Sequence, residues 1–318
     1  MLTAINTVFG AVATKDIVPI LTHILIYEGR MQAADGCVTI DCAFPNAIPP
    51  CAVPGSKLLQ AVKACGDQPN LSITETGKLA LKKGSFKAFL STLPKSDFPI
   101  ETPQGEEHSV PQDFLEVIKM LRPFVSKDAS RPWSMGIQVG PGMAFATNNI
   151  ILVRKELNWT GLKTIIPLRA LDDLLSMQEN PSKVQCNENS VTFFYKDSSW
   201  LKTQALDLPW PGVKEMFSDL HPPMDKVPHN MLEDVRKVQS FCVNQKFPSI
   251  YIGQEIKSGE GDDQAIVEGY NFPDSVFHAD QLALVLSEAE MIDFSPYPRP
   301  CTFSNSKGMF GLFVGVRS

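Results

Sequence analysis

The chain has 318 residues, a formal net charge of −6 at pH 7 and 43% hydrophobic residues, enough length for one to three domains and enough apolar content for packed cores. The charge is uneven: residues 1–107 hold 9 basic and 10 acidic residues, 108–217 hold 12 and 11, and 218–318 hold 8 and 14, so no segment has the basic footprint of a tight nucleic-acid binder. No run approaches the ~18 apolar residues of a membrane span, and the opening MLTAINTVFGAVA lacks a basic n-region and cleavage signature, so the chain reads as soluble and unexported, with no membrane partner.

Residues 2–13 place Leu2, Ile5, Val8, Phe9 and Val12 at helical spacing, which predicts a helix with one core face. Residues 17–27 are β-branched and apolar, with Pro19 near the strand start where a missing N–H is tolerated. Residues 31–42 predict further strands around Asp35-Gly36, and the proline-rich 45–54 predicts a connection. A helix follows over 56–65, burying Leu58, Leu59, Ala61, Val62 and Cys65, and then three short strands over 71–74, 78–82 and 85–93 with hairpin signals between them. The polar 102–109 reads as a linker. Residues 114–125 predict a second long helix on Phe114, Val117, Ile118, Leu121, Phe124 and Val125, shortened or bent at Pro123. Strands over 135–140 and 143–155 precede a helix over 168–177, and 183–206 predicts three more strands. Residues 218–227 read as a second linker. A helix over 231–242, strands from Ser249 interrupted by a Gly-acidic loop at 258–264, a helix over 279–288 and a strand over 308–316 complete the chain.

The pattern repeats. Val53-Pro54 opens VPGSKLLQAV and Ile166-Pro167 opens IPLRALDDLL, 113 positions later; Pro19 before ILTHILIY and Pro132 before WSMGIQVG share that offset. The strand-and-loop stretch GSFKAFLSTLPKSDFPIE (84–101) returns as SSWLKTQALDLPWP (198–211), its closing Asp97-Phe98-Pro99 matched 112 positions on by Pro209-Trp210-Pro211. A weaker third copy is visible in VPQDFLE (110–116) against VPHNMLE (227–233). A near-constant offset over about a hundred residues marks an internal duplication. The reading is three α+β modules, 1–107, 108–220 and 221–318, each with two helices packed on an antiparallel sheet. Equivalent helices in three modules suggest that six helices share one side of a curved assembly.

Catalysis finds little support. His23, His108, His221, His229 and His278 are scattered without ligand spacing, and HExxH, GxSxG and phosphate-loop motifs are missing from the sequence. The adjacent pairs Asp172-Asp173 and Asp262-Asp263 point apart on a helix or loop and read as surface charge. Gly259-Glu260-Gly261 has neither the strand before nor the helix after that a nucleotide motif needs. Seven cysteines without a CxxC pair read as reduced, buried thiols. No cofactor or metal is expected, and the protein reads as non-enzymatic.

FLSTLPKSDFP (89–99) resembles the strand and loop that end the first domain of the bacterial DNA polymerase III beta subunit, the replicative sliding clamp. VPILTHILI (18–26), VPGSKLLQAV (53–62), ATNNIILV (146–153), IIPLRALDDLL (165–175) and LFVGVRS (312–318) follow in the family's order across essentially the whole chain. The first motif is fairly specific, and the others gain weight as an ordered set. The chain is shorter than typical bacterial members, as a phage-encoded clamp would be. The resemblance implies a head-to-tail homodimer, a closed six-module ring that holds duplex DNA topologically in a bacterial or phage-infected cytoplasm. It further implies peptide partners from the polymerase and the clamp loader.

Three sets of residues follow from that resemblance. Lys15, Arg131 and Trp133 match DNA-contacting positions, with Pro132 replacing one of the family's aromatics. Lys63, Lys119, Arg122, Lys127, Arg169, Arg236 and Lys237 lie on or beside the helices expected to line the hole, where the plain alternative is a solvated helix face. The peptide groove would use Thr147, Ile150, Leu152, Pro211, Met216, His278, Gln281, Pro298, Leu312, Val314, Val316 and Arg317, where ordinary strand core is the alternative for the aliphatic members. Here Asn148-Asn149-Ile150-Ile151-Leu152 replaces the family's Asp-Gly-His-Arg-Leu run, and Gln281 replaces an aromatic. At the ring interface the strand 86–93, with Ala88 and Leu90, would pair with an edge strand near 264–270. A different class of protein, one that captures polymerase or loader peptides without encircling DNA, fits the altered groove and the acidic last third.

Overall fold

In this computed structural model, helices and antiparallel strands follow one another in an order that recurs three times: helix, strands, helix, strands. The helices are α1 (Leu2–Phe9), α2 (Gly55–Cys65), α3 (Phe114–Leu121), α4 (Leu168–Ser176), the short α5 (Val213–Met216), α6 (Met231–Gln239) and α7 (Ala279–Glu288). The structure describes all residues except 16, 67, 162, 207, 211, 218–219, 224, 243–247, 260–262 and 317–318. Two compact units form, one from residues 1–118 and 159–207, the other from 119–158 and 208–318.

The first unit is built on an eight-stranded sheet. Its order is Cys51–Pro54, His23–Tyr27, Arg30–Ala34, Val38–Ala43, Trp200–Gln204, Ser190–Phe194, Lys183–Cys186 and Glu106–Ser109. The join at its centre pairs Ile40 with Leu201 and Thr39 with Lys202. Ile5 and Val8 of α1 are fully buried, as their spacing predicts, and so is Leu58 of α2. Phe114 at the start of α3 stacks on Trp159 at 5.7 Å and on Phe193 at 5.4 Å between ring centroids. Fully burying one such side chain stabilises the fold by roughly 1.5–3 kcal/mol. A second, three-stranded sheet runs Asn70–Ile73, Leu79–Lys83, Phe86–Leu90, with Phe86–Leu90 as an outer strand.

In the second unit, Gly136–Thr147, Ile151–Asn158, Phe310–Phe313, Cys301–Ser304, Met291–Asp293 and Asp225–Lys226 lie side by side. A separate four-stranded sheet runs Ile266–Glu268, Glu255–Ser258, Ser249–Ile252, Ser275–His278, so that Ile266–Glu268 is an outer strand. Phe277 of the smaller sheet meets Phe313 of the larger at 5.0 Å and Phe294 at 5.4 Å, which joins the two sheets through one aromatic core.

The structure departs from the sequence reading at element ends. Helix α1 stops at Phe9 rather than Ala13, and α3 stops at Leu121 and passes into a 3-10 turn, Arg122–Phe124, because Pro123 cannot donate to the next helical bond. The proline-rich connection contains the strand Cys51–Pro54, paired with His23–Tyr27. The expected linker 102–109 contributes the strand Glu106–Ser109, paired with Lys183–Cys186. The second expected linker contributes Asp225–Lys226, paired with Met291 and Ile292. The strand expected over 86–93 ends at Leu90, and Leu93 bridges to Ala52 instead.

Candidate functional site

Three neighbouring strands of the second unit make the floor of a groove. Leu152 sits opposite Leu312 on one side and Thr147 on the other, so these three side chains stand abreast. Leu152 and Leu312 form a buried cluster with Phe145, Val213 and Phe217, with Trp210 and Met143 against its edge. Trp133, carried by the 3-10 turn Pro132–Ser134, meets Trp210 edge-on at 5.5 Å. Above this floor lies a cavity of about 370 Å³ lined by Arg131, Trp133, Thr147, Asn149, Ile150, Ile151, Leu152, Val213, Met216, Pro300, Leu312 and Val314. Met216 is 52% exposed and Val314 42%, so an apolar rim faces water.

The local sequence explains the shape. Asn148 folds its side chain back so that Oδ1 accepts from the N–H groups of Ile150 and Ile151, at 3.1 and 2.8 Å. Asn149 follows with φ +73°, a left-handed conformation that asparagine tolerates better than most residues. Thr147 Oγ1 donates to the Ile151 carbonyl at 2.7 Å and accepts from the Asn149 N–H at 3.0 Å. The pair Asn148-Asn149 thus makes a tight turn that aims Ile150 at the cavity. Asn148 Nδ2 also donates to Gln281 Oε1 on α7, at 2.6 Å.

The chain end runs along the groove. Val314 N–H donates to the Ile150 carbonyl at 3.0 Å, and Val316 N–H donates to the Val276 carbonyl at 2.8 Å. Between them, Gly315 has no room for a side chain: a Cβ would lie 2.5 Å from the Tyr297 ring and 2.7 Å from the Val276 oxygen. The Tyr297 hydroxyl donates to the Val316 carbonyl at 2.7 Å.

Of the groove residues expected from sequence, Thr147, Ile150, Leu152, Met216, Leu312 and Val314 line the cavity. His278, Gln281, Pro298 and Val316 do not, and Pro211 and Arg317 lie outside the described residues. Arg131 and Trp133, expected at DNA, line the cavity as well. Asn149 and Ile151, which belong to the altered run but not to the expected groove set, line it too, as do Val213 and Pro300, which lie outside both; the Pro-Arg-Pro run at 298–300 carries the available signal for the last.

The cationic residues separate into two kinds. Lys15, Lys63, Lys119, Lys127, Arg131 and Arg236 are exposed and, among the described residues, form no salt bridge. Arg122 is half-buried and engaged within the protein. Lys237 pairs with Glu233 at 2.9 Å and Asp234 at 3.1 Å, and the hydrogen bond to Glu233 leads in holding its ammonium above the ordinary lysine range. Arg169 is the most committed. It reaches Asp35 at 2.9 Å, Asp173 at 2.8 Å and the Gly10 carbonyl, all within the first unit. Gly10 allows that approach, since a Cβ there would stand 2.6 Å from Asp173 Oδ1. Burial pushes the Asp173 carboxyl up, and Arg169 opposes it. At the expected ring interface, Ala88 and Leu90 are half-buried on the outer strand, while Phe86 and Phe89 beside them are exposed.

No protein-family model and no curated protein sequence matches the chain. Solved structures do. A DNA polymerase sliding clamp from Caulobacter crescentus aligns with a TM-score of 0.84 at 18% identity, and one from Bacillus subtilis with 0.82 at 16%. A Bartonella birtlesii sliding clamp, DNA polymerase III subunit beta, bound to griselimycin, aligns with 0.83 at 19%. Each match covers 100% of this chain and 97% of the other. The chain therefore has the fold of the bacterial DNA polymerase sliding clamps over its whole length.

Proposed function

We propose that this protein is a DNA sliding clamp. Two copies close head to tail into a ring around duplex DNA, and the groove over Leu152 and Leu312 tethers a DNA polymerase and receives the clamp loader. In this reading it is a non-catalytic accessory factor of replication in a bacterial or phage-infected cytoplasm, built from modules 1–107, 108–220 and 221–318.

The observation that carries the reading is the pair of unlike sheet edges within the clamp fold. Phe86–Leu90 borders the three-stranded sheet and Ile266–Glu268 borders the four-stranded one. Phe86, Phe89 and Ile266 are 37%, 53% and 49% exposed. An open edge with apolar side chains is an aggregation hazard unless something pairs with it. Pairing one copy's Phe86–Leu90 with the other's Ile266–Glu268 would satisfy both edges, with Ala88 and Leu90 inside the contact.

Encirclement also suits the modest charge. A ring that holds DNA topologically needs few phosphate contacts, and many contacts would grip the duplex in a salt-dependent way. Lys15, Lys63, Lys119, Lys127 and Arg236 suffice as a sparse, exposed set in this reading, while Arg169 and Lys237 are already engaged with carboxylates. The acid excess in 218–318 favours a second reading, capture of partner peptides without encirclement.

Light scattering with sedimentation over a dilution series decides between them. A stable species of twice the chain mass, retained on circular but lost from linear DNA, is the expected result. A monomer throughout the series, with no preference for circular DNA, would move the function to peptide capture.

A further inference from the structure

We infer that the first unit carries a site for a small aliphatic ammonium compound, in the cavity between helix α1 and the turn Tyr195–Ser199, where Glu179, Asp197 and the Tyr195 hydroxyl receive its N–H groups. The site is separate from the groove and does not depend on the clamp reading.

The cavity measures about 330 Å³, near the low end of ligand pockets, which run roughly 300–1,000 Å³. Its walls come from distant stretches of one unit: Thr7 and its neighbours on α1, Ser176 and Met177 at the end of α4, and the turn between strands Ser190–Phe194 and Trp200–Gln204. Among the described residues lining it, the charged groups are two carboxylates, those of Glu179 and Asp197. A cleft lined by one sign of charge concentrates ions of the other. Lys196 reaches Glu179 only at 4.0 Å, from outside the lining.

The hydroxyls add acceptors to those charges. Thr7 Oγ1 donates to the Thr3 carbonyl at 3.0 Å, and Ser176 Oγ to the Asp173 carbonyl at 2.7 Å. Ser199 Oγ donates to Asp197 Oδ1 at 2.5 Å, beside the Ser199 N–H at 2.9 Å. Each of these hydrogens is spent inside the protein, so the three oxygens have lone pairs left to offer. Glu179 Oε2 and Asp197 Oδ2, which have no hydrogen bond among the described residues, offer more. A wall of acceptors suits a ligand that only donates, and an alkylammonium group has three N–H donors and no acceptor.

Tyr195 supplies an independent sign of a ligand. It is 4% exposed, and its hydroxyl is buried with no hydrogen-bond partner among the described residues, whereas the large majority of buried polar side-chain atoms are paired. Burial holds this phenol above the ordinary tyrosine range, and the charges of Glu179, Asp173 and Asp197 add to that. Their reach puts the oxygen, and not only the ring, on the carboxylate side of the cavity. An incoming N–H gives that oxygen the partner it lacks. A metal ion fits less well. Among the described residues no three Asp, Glu, His or Cys side chains stand together to hold one, and the cavity has the volume of roughly ten waters at ~30 Å³ each.

Isothermal titration calorimetry of the full chain with 1,4-diaminobutane tests this, with 1,4-butanediol and magnesium chloride as the uncharged and metal probes. One saturable site with a Kd on the order of 1 mM or tighter is expected for the diamine, and none for the diol. Glu179→Gln and Asp197→Asn should each weaken the diamine about fivefold, and Tyr195→Phe about tenfold. Asparagine keeps the oxygen that holds the Ser199 turn. Glu156→Gln, which removes the same charge from the other unit, should change nothing. Without ligand, Tyr195→Phe should unfold in urea at the wild-type midpoint or higher, because the hydroxyl it loses has no partner among the described residues. With the diamine present, the wild-type midpoint should rise further than the variant's. Any one of five results would overturn the inference: no saturation by the diamine in the millimolar range, diol binding as tight as the diamine, equal weakening by Glu156→Gln, a lower midpoint for ligand-free Tyr195→Phe, or saturable magnesium binding that Glu179→Gln abolishes. None of these bears on the clamp reading, which the dilution series tests.

Discussion

Arg169→Ala isolates one buried charge arrangement and gives opposite results for two roles of the same residue. The Arg169 side chain is 38% exposed, but its partners Asp173 and Asp35 are only 6% and 13% exposed. Removing one member of a fully buried pair costs roughly 3–5 kcal/mol, because the other charge is left without compensation. Partial exposure of the guanidinium lets water reach the carboxylates, and this reduces the expected loss to about 2–3 kcal/mol. The loss depends on pH. Burial already holds the folded Asp173 carboxyl above its ordinary range, with Arg169 opposing, so the variant holds it higher still. An unfolded aspartate titrates near ~3.9. Between that value and the raised folded one, the unfolded chain gives up its proton first, so stability falls as pH rises. Urea unfolding followed by circular dichroism should therefore show a larger loss at pH 8 than at pH 5, and Asp173→Asn in the same chain should recover part of it. A loss below about 0.5 kcal/mol at pH 8, or one equal at both pH values, would refute the argument. A variant of unchanged stability that is retained less well on DNA would instead make Arg169 a phosphate contact.

Further outcomes follow from burial. Leu312→Ala removes a side chain from the cluster with Phe145 and Leu152 and should destabilise by about 2–4 kcal/mol. Met216→Ala, at an exposed rim, should stay within about 0.5 kcal/mol of wild type in urea unfolding; equal effects of the two on stability would contradict the division into floor and rim. At pH 8, Ellman's reagent should modify Cys37 quickly and the other six thiols slowly. Cys37 is exposed and the rest are buried, and burial pushes Cys42 and Cys301 up to about 12 and Cys51 up to about 11. Two or more fast thiols would count against the packing described.

What the sequence made legible was whatever its own periodicity encodes. Helix α7 spans residues 279–288 as its apolar spacing predicts, with Leu282, Val285 and Leu286 buried. Strand Glu106–Ser109 was not legible, because its four polar residues are ordered by backbone bonds to Lys183–Cys186 rather than by burial. Arg169 was legible as a cation on a helix. Of its partners, Asp173 lies four positions on but is buried rather than the surface charge its sequence suggested, and Asp35 and Gly10 lie 134 and 159 positions away. The groove was half legible: six cavity residues follow from the family resemblance, while Val213 and Pro300 enter through elements with little pattern of their own, a four-residue helix and a proline-rich loop. Trp133 and Arg131 carried the right chemistry, and the fold sends them to the cavity by the turn Pro132–Ser134.

The two open edges differ in sequence and in the width of the sheets they border. A contact between unlike patches carries no symmetry that stops it after two copies; each addition presents the same fresh edge to the next. Termination at a dimer would then be a matter of angle, set by how each sheet twists along its last strands. A lesion that relaxed that angle without harming the strands would produce filaments in place of closed pairs. The damage would register as turbidity and rising scattered light, with every edge paired except those at the two filament ends.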